Sequence, residues 1–409
     1  MNQRMDRTRL NIGAYYLKPY ARTEAHVRDL ADCGVDFVVC MDNDRNALDL
    51  FHKYGVGAIV SGILPGWWGG DGNNAGKMAA WNPIEKYHKA AAEFVDHPAI
   101  WAVDVGDEPS ALDFPHFGKV IDYVNRAFPN QFAYLNLYPN YASVSQNNAE
   151  ETVNQLGTPT YEEHIQRYCA CVPSDYLCYD FYLYSINVTQ HYENLRVVAN
   201  ACRNTGRSMW IVLQVNSVDP NYWISENNLR FQAYTAMAFG AENIIWGCYT
   251  AGWWNNQVLD DEGNKTQQYD KLQKVNREIH TIGEEYMKYR RVSTHFVGFE
   301  GHRHMDAVKQ EAVEALSTGI FFDVKADNGA PLVVGEMVNR NHDGSVALMI
   351  CAADDPYEEH PAEYRLTFRA PGRRIRALGG CGYKTVEDVG DGLYAVTIRS
   401  NEGVLITAR

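Results

Sequence analysis

The feature that most constrains the fold of this chain is an alternation of short apolar runs with amphipathic segments, repeated eight times between residues 10 and 290. The apolar runs predict strands near residues 10–17, 35–41, 56–61, 99–109, 131–137, 175–182, 208–215 and 243–249. The amphipathic segments predict helices near residues 22–33, 47–54, 83–95, 114–127, 161–171, 191–204, 226–239 and 267–289. Strands that alternate with helices indicate a parallel sheet, and eight such units predict a closed (β/α)8 TIM barrel.

A doubly wound open sheet is the alternative fold for this alternation. That fold usually carries a glycine-rich turn after its first strand. Here the first strand is followed by Lys18, Pro19 and Tyr20, so the sequence favours the barrel.

The alternation of apolar runs and amphipathic segments ends near residue 290. Short apolar runs separated by turn-forming clusters predict strands near residues 332–338, 346–351, 364–368 and 404–407. Strands of this kind without intervening helices are typical of a β-sandwich. We therefore predict an α/β chain of two domains, a catalytic barrel over residues 1–290 and a small C-terminal β-sandwich over residues 291–409.

Charge and composition exclude several classes of partner. The formal net charge of −14 argues against nucleic acid and against an anionic membrane surface. No apolar run is long enough to span a membrane. The first residues lack the apolar core of a signal peptide, which predicts a cytoplasmic protein, or a periplasmic or secreted one if a signal peptide has been removed.

The nine cysteines do not form a recognisable metal or disulfide pattern. Cys40, Cys178 and Cys248 lie inside predicted strands, where cysteine is typically a small reduced core residue. Cys169 and Cys171 are spaced C-x-C, and no matching pair follows them. We expect neither a metal site nor another cofactor.

The ends of the predicted strands carry polar and aromatic side chains and few Lys or His. In a TIM barrel the active site lies at the C-terminal ends of the strands. Acids and amides bind sugar hydroxyl groups, and aromatic faces stack on pyranose rings, so this selection predicts a neutral oligosaccharide or glycoside as ligand. The side chains expected to bind it are Trp67, Trp68, Asp107, Asn136, Tyr138, Tyr182, Gln214, Asn216, Tyr249, Trp253 and Trp254.

Two carboxylates are the apparatus that cleaves glycosidic bonds. Glu108, which follows an apolar strand, is predicted to be the general acid, because apolar surroundings keep a carboxyl group protonated. Asp180 is predicted to be the base or nucleophile, although it could equally hold a tyrosine hydroxyl or a loop. Asp107 is expected to orient Glu108, and Asp42 is a third candidate that could equally cap a helix.

These motifs resemble the glycoside hydrolases of clan A, in which strand four ends in a Glu-Pro acid/base. They resemble still more a group of bacterial barrels with Gly-Asp-Glu-Pro on strand four, Tyr-Asp-aromatic-Tyr on strand six and an Arg-aromatic-Gln-Ala-Tyr helix before strand eight. This chain carries the three motifs at residues 106–109, 179–182 and 230–241. The resemblance implies a glycosidase barrel over residues 10–290, with Glu108 as its acid.

Strand seven departs from the clan pattern, because Gln214 stands where the clan has a nucleophilic Glu. Strands four and six are two apart, about 9–10 Å between main chains, which suits either the retaining or the inverting geometry. We therefore predict a glycoside hydrolase with Glu108 and Asp180 as its pair. The alternative is a non-catalytic carbohydrate-binding protein on the same barrel. A metal-dependent amidohydrolase is less favoured, because residues 15–18 lack its His-x-His motif.

Overall fold

The computed structural model of the chain describes residues 4–142, 155–300 and 316–409. All eight predicted strand-and-helix units are present. The strands are β1 (Asn11–Tyr15), β2 (Phe37–Met41), β3 (Gly57–Val60), β4 (Ile100–Asp107), β5 (Phe132–Asn136), β6 (Tyr176–Phe181), β7 (Ser208–Gln214) and β8 (Ala241–Gly247). The helices are α1 (Glu24–Asp32), α2 (Arg45–Tyr54), α3 (Met78–Trp81), α4 (Ile84–Ala92), α5 (Phe114–Ala127), α6 (Tyr161–Cys171), α7 (Val188–Thr205), α8 (Glu226–Ala238) and α9 (Gln267–Tyr286).

The eight strands form one parallel sheet in the order β5-β4-β3-β2-β1-β8-β7-β6, which curls into a nearly closed barrel. In the described residues, the seam between β5 and β6 has one bridge, between Leu137 and Tyr179. The Tyr176 hydroxyl fills the rest of this seam, accepting from Leu135 N at 3.0 Å and donating to Ala133 O at 2.8 Å. These bonds replace missing ladder bonds, and the predicted TIM barrel is confirmed.

Local signals set several helix boundaries. Gly55 and Gly206 end α2 and α7 in the left-handed conformation, with φ of 72° and 70°, which glycine adopts without steric cost. Asp44 caps α2 by accepting from the N–H groups of Asn46 and Ala47. The predicted start of α4 is wrong by one residue: Pro83 itself occupies the cap position, and the helix begins at Ile84.

The C-terminal part is a sandwich of two antiparallel sheets, as predicted. The six-stranded sheet has the order β15-β14-β18-β12-β11-β9, and the four-stranded sheet has the order β10-β13-β17-β16. The strands are β9 (Tyr289–Val297), β10 (Phe322–Ala326), β11 (Leu332–Asn339), β12 (Val346–Cys351), β13 (Glu363–Arg369), β14 (Ile375–Gly379), β15 (Gly382–Lys384), β16 (Glu387–Gly390), β17 (Leu393–Arg399) and β18 (Gly403–Ala408).

The six-stranded sheet is buried on both faces, because it also packs on the barrel. Val333 and Met349 belong to the core shared with the barrel, whereas their neighbours Val334 and Leu348 belong to the core of the sandwich. This alternation is the period of two expected for a strand. Strands β11, β12 and β18 pack on α8. A Cβ on Gly335 would lie 2.1 Å from Ala238 O, so the sheet and helix are in close contact there.

A loop of the sandwich also reaches the C-terminal end of the barrel. The Pro356 carbonyl accepts hydrogen bonds from the Tyr184 hydroxyl, at 3.0 Å, and from the side chain of Asn228. The Glu358 carbonyl accepts from Asn227 Nδ2 at 2.7 Å. These hydrogen bonds from the sandwich therefore stabilise the loop that follows β6 and the start of α8. Among the described residues, no helix has the length and apolarity needed to cross a membrane.

Candidate active site

Strand β4 brings two aspartates to the inside of the barrel because its pairing with β5 contains a register shift. The shift lies between Asp104 and Gly106, where β4 has one more residue than its partner. Side chains alternate between the faces of a regular strand, and an extra residue reverses that alternation. Asp104 and Asp107 therefore both face inward, where Ser61 Oγ donates to Asp104 at 2.7 Å and Asn136 Nδ2 donates to Asp107 at 3.1 Å.

The loop after β3 lies alongside the end of β4 and extends the sheet. Asp107 N donates to Trp67 O at 2.7 Å, and Gly69 N donates to Asp107 O at 3.1 Å. A Cβ on Gly106 would lie 2.5 Å from Trp67 O, so this approach requires glycine in β4. The loop is thereby held against the carboxylates of β4.

Replacing Gly69 by Ala is expected to lower the free energy of unfolding by about 2 kcal/mol, as overpacking of a tight site does. The new Cβ would lie 1.8 Å from Glu108 O and 2.5 Å from the Tyr138 hydroxyl. Gly66→Ala in the same loop is the matched control, because a Cβ there meets no atom within 4 Å. Urea unfolding measures both variants, and equal midpoints for the two would contradict this packing.

Asn136, at the end of β5, joins Asp107 to Asp180 of β6. Its Nδ2 atom donates to Asp180 Oδ1 at 2.8 Å as well as to Asp107 Oδ1 at 3.1 Å. The Tyr141 hydroxyl donates to Asp180 Oδ2 at 3.3 Å, and Asp180 is only 3% exposed. Both hydrogens of the Asn136 amide are thus used within the protein, where they join the two aspartates, and its contact with ligand stays a prediction.

The pKa values of this aspartate pair are both raised. Burial is the main cause for each, because it penalises the charged form. The negative charge of Asp107 raises the pKa of Asp180 further, whereas the hydrogen bonds from Asn136 lower both. Each aspartate is therefore partly protonated at a pH where an exposed aspartate is fully ionised.

Glu108 follows the strand in a left-handed conformation, with φ of 46°, which few residues other than glycine adopt. Its N–H donates to Asn136 O at 2.9 Å, which holds this turn against β5. Burial raises the pKa of Glu108 to about 10, and the charges of Asp180 and Asp107 add to this, while a hydrogen bond from Trp68 opposes it. Glu108 is therefore a protonated carboxyl group at neutral pH.

Asp104 is a site residue that the sequence analysis missed. It lies three residues before Asp107 in β4, and its Oδ1 accepts a hydrogen bond from Gly106 N at 3.1 Å. Burial is the largest cause that raises the pKa of Asp104 to about 7, and Asp107 contributes as well. An acidic residue inside the apolar run 99–105 was the available signal, since a charged residue is rarely placed there without a partner.

The stability of the protein is expected to fall as the pH rises from about 4 to about 7, and Asp104→Asn is expected to reduce this slope. The native pKa of Asp104 is about 7 and its ordinary value is 3.8, so the native state holds a proton that the unfolded state has released. Each such proton lowers the free energy of unfolding by about 1.4 kcal/mol per pH unit. Asp122→Asn, on the exposed face of α5, is the control. Urea unfolding at several pH values measures the slopes, and an unchanged slope in Asp104→Asn would contradict the assignment.

Four of the predicted ligand-binding aromatic residues lie at the mouth of the barrel. Trp68 is 53% exposed, and Tyr182, Trp253 and Trp254 are partly exposed. The Tyr182 ring contacts both indoles of the doubled tryptophan, with centroids at 5.7 Å from Trp253 and 4.9 Å from Trp254. These three rings contact one another after the ends of β6 and β8, and Trp68 donates a hydrogen bond to Glu108.

Three other aromatic residues predicted to bind ligand are buried, and their contact with ligand stays a prediction. Trp67 packs edge-on against Trp81, with centroids 5.7 Å apart, and supports the loop after β3. Tyr138 lies under Gly69, where its hydroxyl is enclosed. Tyr249 points to the outside of the barrel, because Cys33 and Tyr269 of the helical layer surround it.

Gln214 and Asn216 are buried and form hydrogen bonds within the protein, and their contact with ligand stays a prediction. The Gln214 side chain accepts from Tyr184 N at 2.8 Å and donates to Ser185 Oγ at 3.1 Å and to Asn216 O at 3.0 Å. The Asn216 side chain donates to Trp253 O. Gln214 thus holds the loops after β6 and β7, and Asn216 holds the loop after β8.

Asp42, the third carboxylate candidate, lies outside this cluster. It is exposed and pairs with Arg22 at 2.6 Å. The neighbouring Asp44 is the residue that caps α2. The structure therefore brings together Asp107, Glu108 and Asp180, adds Asp104, and leaves Asp42 aside.

The structure is similar to that of a cycloisomaltooligosaccharide glucanotransferase from Paenibacillus sp., solved with cycloisomaltoheptaose, with a TM-score of 0.58 and 8% identity over 98% of this chain and 85% of that chain. The chain shares the fold of that enzyme. Xylanase 10B from Thermotoga maritima has a TM-score of 0.45 and 11% identity, covering 67% of this chain and 97% of that chain. No protein-family model matches the sequence, and no curated protein is significantly similar to it.

Proposed function

We propose that this protein is a glycoside hydrolase that cleaves a neutral oligosaccharide or glycoside with Glu108 as general acid and Asp180 as the second carboxylate. The observation that carries the proposal is that Asp107, Glu108 and Asp180 meet at the C-terminal end of a TIM barrel, where Asn136 joins the two aspartates. Burial raises the pKa of all three groups, and it raises that of Glu108 furthest. Glycosidases require carboxyl groups in two protonation states, one to give a proton and one to receive or replace one. The surroundings raise the pKa of Glu108 to about 10 and that of Asp180 to about 7, so Glu108 is the better candidate for the acid and Asp180 for the base or nucleophile.

Glu108 would protonate the glycosidic oxygen as the bond to the leaving sugar breaks. The hydrogen bond from Trp68 and the anchored N–H of Glu108 would keep the carboxyl group oriented during this transfer. Once Glu108 has given its proton, the negative charges of Asp107 and Asp180 favour its reprotonation. Glu108 is thus suited to act repeatedly as an acid.

Asp180 would act on the anomeric carbon, either directly as a nucleophile or through a water molecule as a base. The hydrogen bonds from Asn136 and Tyr141 support its ionised form and hold its two oxygens in place. Asp107 would share the proton of the pair and orient Asn136. The anomeric configuration of the first product distinguishes the direct route, which retains it, from the water route, which inverts it.

Four aromatic residues that are exposed or partly exposed support a neutral sugar as the substrate. Trp68, Tyr182, Trp253 and Trp254 offer apolar faces for pyranose rings. In the described residues, the hydrogen bonds to the carboxyl groups of Asp107, Glu108 and Asp180 come from amide, phenol and indole groups, and none comes from Lys or Arg. A phosphate or another strongly anionic group would therefore meet uncompensated carboxylates at this site.

The test is to incubate the protein with neutral glucans, xylans, mannans and galactans and with aryl glycosides of the same sugars. Released reducing ends and aryl alcohol are measured against heat-denatured protein, and proton NMR of the first product gives its configuration. Release from at least one substrate is the expected result. Sugar binding by calorimetry with no release from any substrate would overturn the proposal in favour of a carbohydrate-binding protein on the same barrel.

A further inference from the structure

We propose that Cys178, a thiol inside the barrel, is a positioning residue that orients the Asn136 amide and thereby sets the pH at which the Asp107–Asp180 pair becomes ionised. Its effect on the pH dependence of kcat/KM rests on the proposed function, whereas its effect on the ionisation of the pair does not. Cys178 does not contact the space above the carboxylates, since it is fully buried in β6. It acts through Asn136 alone.

Four side chains inside the barrel form a series of hydrogen bonds in which each group donates to the next, from Tyr15 through Tyr134 and Cys178 to Asn136. Cys178 Sγ lies 3.4 Å from Asn136 Oδ1 and donates to it, because an amide oxygen can only accept. Tyr134 Oη lies 3.5 Å from the same sulfur, and Tyr15 Oη lies 2.8 Å from Tyr134 Oη. With the thiol hydrogen committed to Asn136, the Tyr134 hydroxyl must donate to sulfur and the Tyr15 hydroxyl must donate to Tyr134.

Every donor in this series consequently points toward the two aspartates. The thiol satisfies Asn136 Oδ1, which leaves Nδ2 directed at Asp107 and Asp180. A rotated amide would place its oxygen against two carboxylates and leave its amino group facing the thiol, a weak acceptor. Consecutive hydrogen bonds polarise one another in a medium of low dielectric constant, so the series strengthens the donation of Asn136 to ionised carboxylates.

The other titratable groups that face the pair do not replace this effect. Asp104 of β4 acts in the opposite direction, because its negative charge raises the pKa of its neighbours, whereas Glu108 stays protonated while the aspartates titrate. The other groups in the described residues are phenols and thiols whose pKa values are raised by burial, among them Tyr15, Tyr16, Cys40, Tyr134, Tyr138, Tyr141, Tyr161, Tyr179 and Tyr182. They stay protonated while the aspartates titrate.

The kinetic test compares the pH dependence of kcat/KM for the wild type, Cys178→Ala and Cys178→Ser. The acidic limb is expected to move to higher pH by about 0.5–1 unit in Cys178→Ala, the size of one neutral hydrogen bond. Cys178→Ser is expected to restore it, because a hydroxyl also donates to Asn136. Cys202→Ala is the matched control: this buried thiol donates to Ser208 O at 3.7 Å on the outer side of the barrel.

An infrared measurement tests the same proposal without turnover. The S–H stretching band of Cys178, identified by its loss in Cys178→Ala and its retention in Cys202→Ala, is expected to shift as the aspartate pair titrates. Asp107→Asn is expected to reduce that shift, because Asp180 alone then titrates against the Asn136 amide. An acidic limb that stays in place in Cys178→Ala, or an S–H band that does not respond to pH, would overturn the proposal. A protein that releases no sugar but shows the band shift would contradict the proposed function alone.

Discussion

Glu108→Gln is expected to lower kcat by about 10²–10⁴-fold on a natural glycoside, the usual contribution of a general acid. Gln has nearly the same shape as Glu, so the contact with Trp68 and the packing of the turn are kept. An amide cannot give a proton to the leaving oxygen, and KM is therefore expected to change little.

The leaving group provides a test that separates this role from a structural one. The dinitrophenolate group of a dinitrophenyl glycoside leaves without being protonated. Glu108→Gln is therefore expected to be much less impaired on this substrate than on an oligosaccharide. Glu93→Gln, an exposed change at the end of α4, serves as the control and should leave both rates unchanged. Full turnover of oligosaccharides by Glu108→Gln would remove Glu108 from the mechanism.

Asp180→Asn is expected to have the second large effect, a loss of about 10³-fold or more in kcat on both kinds of substrate. Neither attack on carbon nor activation of water is possible for an amide, and a better leaving group does not replace that step. The hydrogen bond from Asn136 to position 180 survives, because Asn Oδ1 also accepts. Circular dichroism and urea unfolding check that the fold is intact.

Asp107→Asn is the matched comparison for Asp180→Asn, since both aspartates accept from the same amide nitrogen. A smaller loss is expected for Asp107→Asn, because its proposed role is to share a proton and orient Asn136. A loss in Asp107→Asn that exceeds the loss in Asp180→Asn would reverse the assignment and make Asp107 the second carboxylate.

The Asp180→Asn protein offers one more readout that does not depend on turnover. The charge of Asp180 is the largest cause after burial that raises the pKa of Glu108. Its removal is expected to lower the pKa of Glu108 from about 10, which NMR of a labelled glutamate carboxyl would detect. An unchanged titration would show that the two groups do not interact.

The sequence predicted the barrel well because its elements are repetitive and their signals are local. Eight apolar runs separated by amphipathic helices leave few topologies, and glycines such as Gly55 and Gly206 end helices by their own conformational freedom. The sandwich was predicted less completely. Strands β11, β12 and β18 are apolar on both faces and were found, whereas β16 is exposed throughout and carries no hydrophobic pattern.

The sequence by itself determined which strand ends carry Glu108 and Asp180, because the order of strands in a barrel follows the order of the chain. Only the tertiary structure decided the direction of each side chain. The register shift in β4 turns Asp104 and Asp107 inward together, and Asn136 joins strands that are far apart in sequence. Tyr249 and Gln214 stand at strand ends as predicted but serve the packing of helices and loops, since orientation depends on pairing between strands and not on position along one strand.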